Sequence, residues 1–153
     1  MEPKIITLEA FKVMGPQIRM NPMTANYKDL WENHFDPHQQ LIEACAAHPG
    51  YYGVYFSTGE RGMADFVPSM AVRDDSVAAP PLVIRDVRGG LFAVFECSMA
   101  EIGGVWGFIY GKWLPQSEEY EEDPDGVCFE RYSGGQDPAG MRVTIHMPLK
   151  KKR

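Results

Sequence analysis

Glu130 has the most chemistry in its surroundings. It lies within Cys128-Phe129-Glu130-Arg131-Tyr132, a stretch whose aromatic content suits a half-buried strand. Alternation places Glu130 on one face with Cys128 and Tyr132, and Phe129 with Arg131 on the other. Neither face is purely polar. The plainer reading is a solvent-facing glutamate paired with a neighbouring strand. The sharper one turns it towards helices, where its carboxylate would sit among aromatic rings. A charge there is costly without a partner, which favours either the protonated acid or a cationic ligand. A carboxylate framed by aromatic faces is a receptor for a delocalised cation.

The rings have an obvious source. Ile102, Val105, Trp106, Ile109, Tyr110 and Trp113 recur at helical spacing and form one apolar stripe. Such stripes are usually core. Trp and Tyr carry polar handles, however, and rarely dominate a closed interior, so Trp106, Tyr110, Trp113 and the earlier Trp31 are candidates for an aromatic-lined cavity. Three glycines (Gly103, Gly104, Gly107) weaken that helix by up to ~1 kcal/mol each relative to alanine. Packing must compensate, or another backbone must approach closely there. Other chemistry is thinner. His34 and His38 have the i, i+4 spacing of a metal pair, but Pro37 stands between them and no third ligand is placed, so they read as surface residues. His48 and His146 are isolated. No Ser/His/Asp set, GxSxG, Walker loop or GxGxxG occurs, and no catalytic residue, metal or cofactor is assigned.

Composition narrows the class. The 153 residues carry 15 basic and 21 acidic side chains, a net charge of −6, with 44% hydrophobic residues. This is one domain's worth of an ordinary globule. No apolar run approaches the ~20 residues of a membrane span. The start, Met1-Glu2-Pro3-Lys4, lacks the pattern of a signal peptide, so the cytoplasm is the expected compartment. Acids cluster in 118–125 and bases in the tail Lys150-Lys151-Lys152-Arg153. These are read as a solvated loop and a frayed end. The remainder is mildly acidic and presents no basic stripe, which argues against direct nucleic-acid binding. Cys45, Cys97 and Cys128 are odd in number and widely spaced, which disfavours a disulfide framework or a zinc site.

The elements that must position these residues alternate in type. A strand is expected over Ile5 to Met14. A helix capped at Thr24 or Asn26 carries Tyr27, Leu30 and Trp31 and ends at His48-Pro49-Gly50. A strand from Tyr51 follows, then a hairpin-type loop and a partner strand over 64–72, irregular or at an edge because of Pro68. Strands over 82–87 and 91–97 precede the glycine-containing helix, which Pro115 ends. Strands over 127–133 and 141–149 flank a loop from Gly134 to Gly140. Sliding the chain by 75 residues superimposes this order on itself. Gly15 falls on Gly90, Trp31 on Trp106, and Tyr55 opposite Glu130. The expectation is an α+β fold built from a duplicated strand-helix-strand-strand unit, with pseudo-repeats of about 1–75 and 76–150. The copies would share one antiparallel sheet, with two helices on one face and a central cleft.

Several motifs together resemble a known family. They are Phe11-Lys12-Val13-Met14-Gly15, Leu30-Trp31, Tyr52-Gly53-Val54-Tyr55 and Gly89-Gly90-Leu91-Phe92-Ala93-Val94-Phe95. More specific are Trp106-Gly107-Phe108-Ile109-Tyr110-Gly111-Lys112-Trp113-Leu114-Pro115 with Ser117, and Phe129-Glu130-Arg131-Tyr132, with a closing strand from Met141 to Lys150. The chain resembles the GyrI-like small-molecule-binding domain, the effector-binding domain of AraC-type and multidrug-sensing bacterial transcription activators. The resemblance implies a single domain over 1–153 whose glutamate, here Glu130, faces a ligand. It implies ligand contacts from Trp31, Tyr55, Phe95, Trp106, Tyr110 and Trp113, and ligands that are amphipathic and often cationic. Two departures stand out. Cys97-Ser98-Met99 replaces the family's usual Gly-Pro, and no DNA-binding domain precedes or follows, as in a stand-alone version. Three functions follow from it: capture of a small aromatic cation in a regulatory or drug-sequestering role; hydrolysis of strained-ring alkylating compounds, with Glu130 as general base and Tyr55 or Tyr110 polarising the substrate; and a protein-interaction role like that of gyrase-inhibiting relatives. Exposed strand edges permit a homodimer.

Overall fold

A computed structural model describes residues 1–134 and 140–153. Most of the expected loop from Gly134 to Gly140 therefore lies outside the described residues. The chain is α+β, with antiparallel strands and two helical segments, and divides into two compact units. One joins Met1–Ala10 to Arg88–Arg153; the other is Phe11–Val87. The expected strand over Ile5 to Met14 is consequently two strands, β1 (Lys4–Leu8) and β2 (Phe11–Pro16). They belong to different units because Glu9-Ala10 carries the chain from one to the other.

In the Phe11–Val87 unit, β2 is followed by β3 (Ile18–Met20), a helical segment over 27–44, β4 (Tyr51–Ser57), β5 (Ala64–Val72) and β6 (Leu82–Val87). Strand β2 pairs with β6 on one side and β5 on the other, and β5 pairs with β4. Thus β5 is internal, not an edge. Pro68 is tolerated because β5 changes partner there: β3 pairs with Ala64 to Phe66, and β2 with Met70 to Val72. The absent proline N–H falls in the gap. Gly15 closes the same gap; a Cβ on it would lie 2.0 Å from the Pro68 carbonyl oxygen. Asn26 caps the helical segment, its side chain accepting the Asp29 N–H. One α-helical turn, α1 (Tyr27–Asp29), runs into a π-helical turn (Leu30–Phe35) and then, after a 3-10 turn, into α2 (Gln39–Ala44). Phe35 and Ile42 pack on Met14, Met70 and Val72, and Leu30 packs on Met20 and Phe66.

In the other unit, β1 pairs with β7 (Gly90–Ser98), and β7 with the long β10 (Met141–Lys151). The opposite edge of β10 takes β9 (Cys128–Gly134) and then β8 (Tyr120–Glu122). Val143, Ile145, Met147 and Leu149 alternate along β10 and are all buried. Ser98 starts the second helical segment with a capping box, its N–H donating to Glu101; this is what Cys97-Ser98-Met99 does in place of a Gly-Pro. Helix α3 (Ile102–Phe108) runs into a π-helical turn (Ile109–Trp113) and a last turn, α4 (Leu114–Gln116). Pro115 lies in that last turn, and the segment stops one residue later at Gln116, as expected of a proline that cannot donate to the preceding turn. Among the described residues, a Cβ on Gly103, Gly104, Gly107 or Gly111 would meet nothing within 4 Å, so no backbone approach there explains these glycines.

Two surface readings are overturned. The acidic tract contributes β8, and the basic tail is not frayed. Lys150 and Lys151 pair with Glu121 and Tyr120. Lys150 lies 3.6 Å from the Glu121 carboxylate, and the Lys152 ammonium donates to the Ser117 carbonyl. Opposite charges and β pairing together tie down a segment that composition alone reads as solvated.

The internal register also shifts. The π turns open at Leu30 and Ile109, and β2 and β7 at Phe11 and Gly90, each 79 residues apart. The hairpin pairs Ser57↔Ala64 and Gly134↔Met141 are 77 apart. Trp31 therefore corresponds to Tyr110, Tyr27 to Trp106, and Tyr55 to Tyr132. An ungapped slide of 75 misses this because the inserted residues lie in connections.

Candidate functional site

The site is built on the helix-facing side of β9. Alternation puts Cys128, Glu130 and Tyr132 on that side, as expected. Glu130 is only 3% exposed. The Trp106 indole N–H, from α3, donates to its Oε2 at 2.7 Å. The Tyr132 hydroxyl, two residues along the strand, donates to its Oε1 in a short hydrogen bond. A buried carboxylate thus receives a donor on each oxygen, as burial requires. Both donors are neutral groups, and they fix the orientation of the carboxylate.

Trp106 also stacks on Tyr110 one turn later, with ring centroids 6.0 Å apart and planes 17° from parallel. The apolar stripe of the helix therefore divides in two. Val105 and Ile109 enter the core, while Trp106 is half-buried and Tyr110 is 49% exposed. The π-helical turn from Ile109 widens the helix where these roles separate; such turns are frequent at functional sites. Burial around the Tyr110 hydroxyl, and then the nearby Cys128 and Glu122 of β8, push the phenol up. Burial also raises Glu122, against the smaller lowering effect of the nearby Tyr110 hydroxyl. The Cys128 thiol is pushed up to about 12, first by burial and then by Glu122 and Glu130. It stays protonated and inert.

The other expected residues are placed as follows. Phe95 of β7 is 1% exposed, with its ring edge-on to Phe108 and Trp113. Trp113 also lines an open groove with Ile5, Glu118, Glu119 and Tyr120. In the Phe11–Val87 unit, Trp31 is half-buried and edge-on to Phe35, Tyr51 and Phe66. Tyr55 packs on Phe66, and its hydroxyl donates to that of Tyr27 at 3.4 Å. Glu130, Trp106 and Tyr110 are thus brought together. Tyr132 joins them through its hydroxyl on Glu130, although it was not among the expected ligand contacts. Alternation along β9 pointed to Tyr132.

The chain matches the GyrI-like small molecule binding domain over residues 1–150, and it belongs to that family. Among solved structures it is similar to SAV2435 bound to tetraphenylphosphonium, at 15% identity and a TM-score of 0.80, covering 98% of this chain and 94% of that one. It is similar to the EcmrR C-terminal domain, at 14% identity and a TM-score of 0.70, covering 99% and 98%. A third similar structure is an integron cassette protein from Vibrio cholerae, at 19% identity and a TM-score of 0.63, covering 97% and 96%. At these identities the likeness is one of fold. No curated protein matches the chain. Among the described residues, no helix is long and apolar enough to cross a membrane.

Proposed function

We propose that the protein binds amphipathic aromatic cations, with Glu130 as the neutralising charge and Trp106 and Tyr110 as the stacking wall. The observation that carries this reading is the Glu130 carboxylate, buried and turned towards an indole N–H and a phenol. Neutral donors keep the ionised form oriented, and its charge draws a cation whose own positive charge is spread over apolar surface. Tyr132, 7% exposed, is the fixed donor. Trp106, half-buried, is the donor that yields as a ligand enters. The family and the tetraphenylphosphonium complex of SAV2435 support a lipophilic cation. The family and the similar EcmrR domain support a regulatory or drug-sequestering role. Three free cysteines suit a reducing compartment such as the cytoplasm.

The test is a tryptophan-fluorescence titration with tetraphenylphosphonium, comparing the native protein with Glu130→Gln. Loss of the charge is expected to weaken binding by about 2 kcal/mol, roughly thirtyfold. Equal affinities would remove Glu130 from the role. Trp31→Ala and Tyr55→Phe in the same titration test whether those rings contact the ligand.

A further inference from the structure

Strand β1 is where the sheet of its unit ends. It pairs with β7 from Lys4↔Val94 to Leu8↔Gly90, and among the described residues no strand pairs with its other side. After Pro3 and Lys4, the run Ile5-Ile6-Thr7-Leu8 has no charge, proline or glycine to blunt that edge, so its outward N–H and C=O groups form a template for another strand. Beside the edge runs an open groove of about 470 Å³. Ile5, Trp113 and Tyr120 give it an apolar lining, Glu2, Glu118 and Glu119 an acidic one, and among the described residues no basic side chain lines it. Ile5 is 37% exposed. It sits opposite Ala93, on the face of β7 whose Phe95 ring meets Trp113 edge-on at 5.5 Å. The acidic side is held by the backbone. The Tyr120 N–H donates to the Ser117 hydroxyl at 3.1 Å, the Lys152 N–H to the Glu119 carbonyl at 2.9 Å, and the Lys152 ammonium to the Ser117 carbonyl at 2.6 Å. Among the described residues, none of the three carboxylates forms an ion pair.

We propose that this edge and groove bind an extended basic segment of another protein, added to β1 as a further strand with alternate Lys or Arg side chains in the groove. Main-chain hydrogen bonds along β1 supply affinity, and every second side chain of the guest faces the groove. A lysine or arginine meets both halves of the lining at once, with its stem on Ile5 and Trp113 and its charged head at the carboxylates. The site lies within one unit and needs neither Glu130 nor Trp106. A second copy is the poorer guest. Pairing through β1 would bring Ile5 and Thr7 to the groove side, with no base, and would add another Glu2 to a rim of like charge.

The experiment uses a fluorescein-labelled octapeptide of alternating lysine and threonine, with binding read by fluorescence anisotropy at low salt. The native protein is expected to bind it, less tightly as salt is added, and to ignore an octapeptide of alternating glutamate and threonine. Methylating the backbone nitrogens of the basic peptide removes its donors and keeps its charge; binding should fall by about tenfold or more. Glu118→Lys combined with Glu119→Lys should weaken binding by about tenfold, since two exposed attractions become repulsions. Ile5→Lys, which places a charge on the edge, should weaken it too. A native protein that does not bind the basic peptide would overturn the proposal outright. Equal binding of the methylated peptide would overturn strand addition, and unchanged affinity in the Glu118/Glu119 variant would overturn the groove. Displacement of the peptide by tetraphenylphosphonium would move it to the cation site and overturn the proposal. So would a native dimer in sedimentation that Ile5→Lys dissolves, because the edge would then belong to a second copy. Unchanged far-ultraviolet circular dichroism of the variants excludes a folding defect as the cause.

Discussion

The Trp106–Glu130 hydrogen bond can be weighed directly. Trp106→Phe keeps an aromatic ring on Tyr110 but removes the donor that lies 2.7 Å from the Glu130 carboxylate. A hydrogen bond to a charged group contributes roughly 1.5–3 kcal/mol, and a carboxylate only 3% exposed has little water to replace the donor. The variant should lose about 2 kcal/mol of stability at neutral pH, a fall of about 6 °C in Tm for a domain of this size. The smaller ring adds its own packing cost. The decisive measurement is therefore a double-mutant cycle by chemical denaturation, with Glu130→Gln as the second change. In the glutamine background the same hydrogen bond is neutral and contributes about 1 kcal/mol. Trp106→Phe should then cost about 1 kcal/mol less than it does beside the native glutamate. Equal costs in the two backgrounds would refute the claim that the indole holds an ionised, buried carboxylate.

His146 stacks on Phe129 with ring centroids 4.2 Å apart, and burial, followed by Arg131, lowers its pKa to about 4 against a partial opposing effect from the Thr144 carbonyl. A folded-state pKa below the unfolded value near 6.5 means that its contribution is fully present above about pH 6.5 and lost as the pH falls to about 4. Up to about 3 kcal/mol is at stake; denaturation at several pH values should show the decline, and His146→Phe should flatten it. The glycines should behave oppositely in thermal melts. Gly107→Ala, in open space within α3, should stabilise by up to ~1 kcal/mol. Gly15→Ala drives a Cβ into the Pro68 backbone and should destabilise by about 3 kcal/mol or more, or prevent soluble expression.

Much of this was legible in the chain. Alternation in Val143, Ile145 and Met147 identified β10 and its buried face, because a strand presents every second residue to one side. The same rule placed Glu130 with Tyr132 and Cys128. The 3.6-residue stripe found the helix from Ile102. It did not separate Val105 and Ile109, which enter the core, from Tyr110, which is half exposed, because both kinds of residue lie on the stripe and only the π turn and the sheet beneath divide them. Asn26 was readable as a cap because a side-chain acceptor before a helix satisfies a local donor.

What the sequence determined by itself was local and periodic: which segments are strands or helices, which face each buries, and that a carboxylate stands among aromatic residues. Which partners meet across large separations was decided by tertiary pairing. Strand β1 joins β7, more than 80 residues away, and the acidic and basic tracts form a paired β8 and β10. Pairing register depends on summed burial and hydrogen bonding over whole strands. No single residue in the acidic tract carries that information, so the tract reads as a solvated loop until β8 is laid against β10.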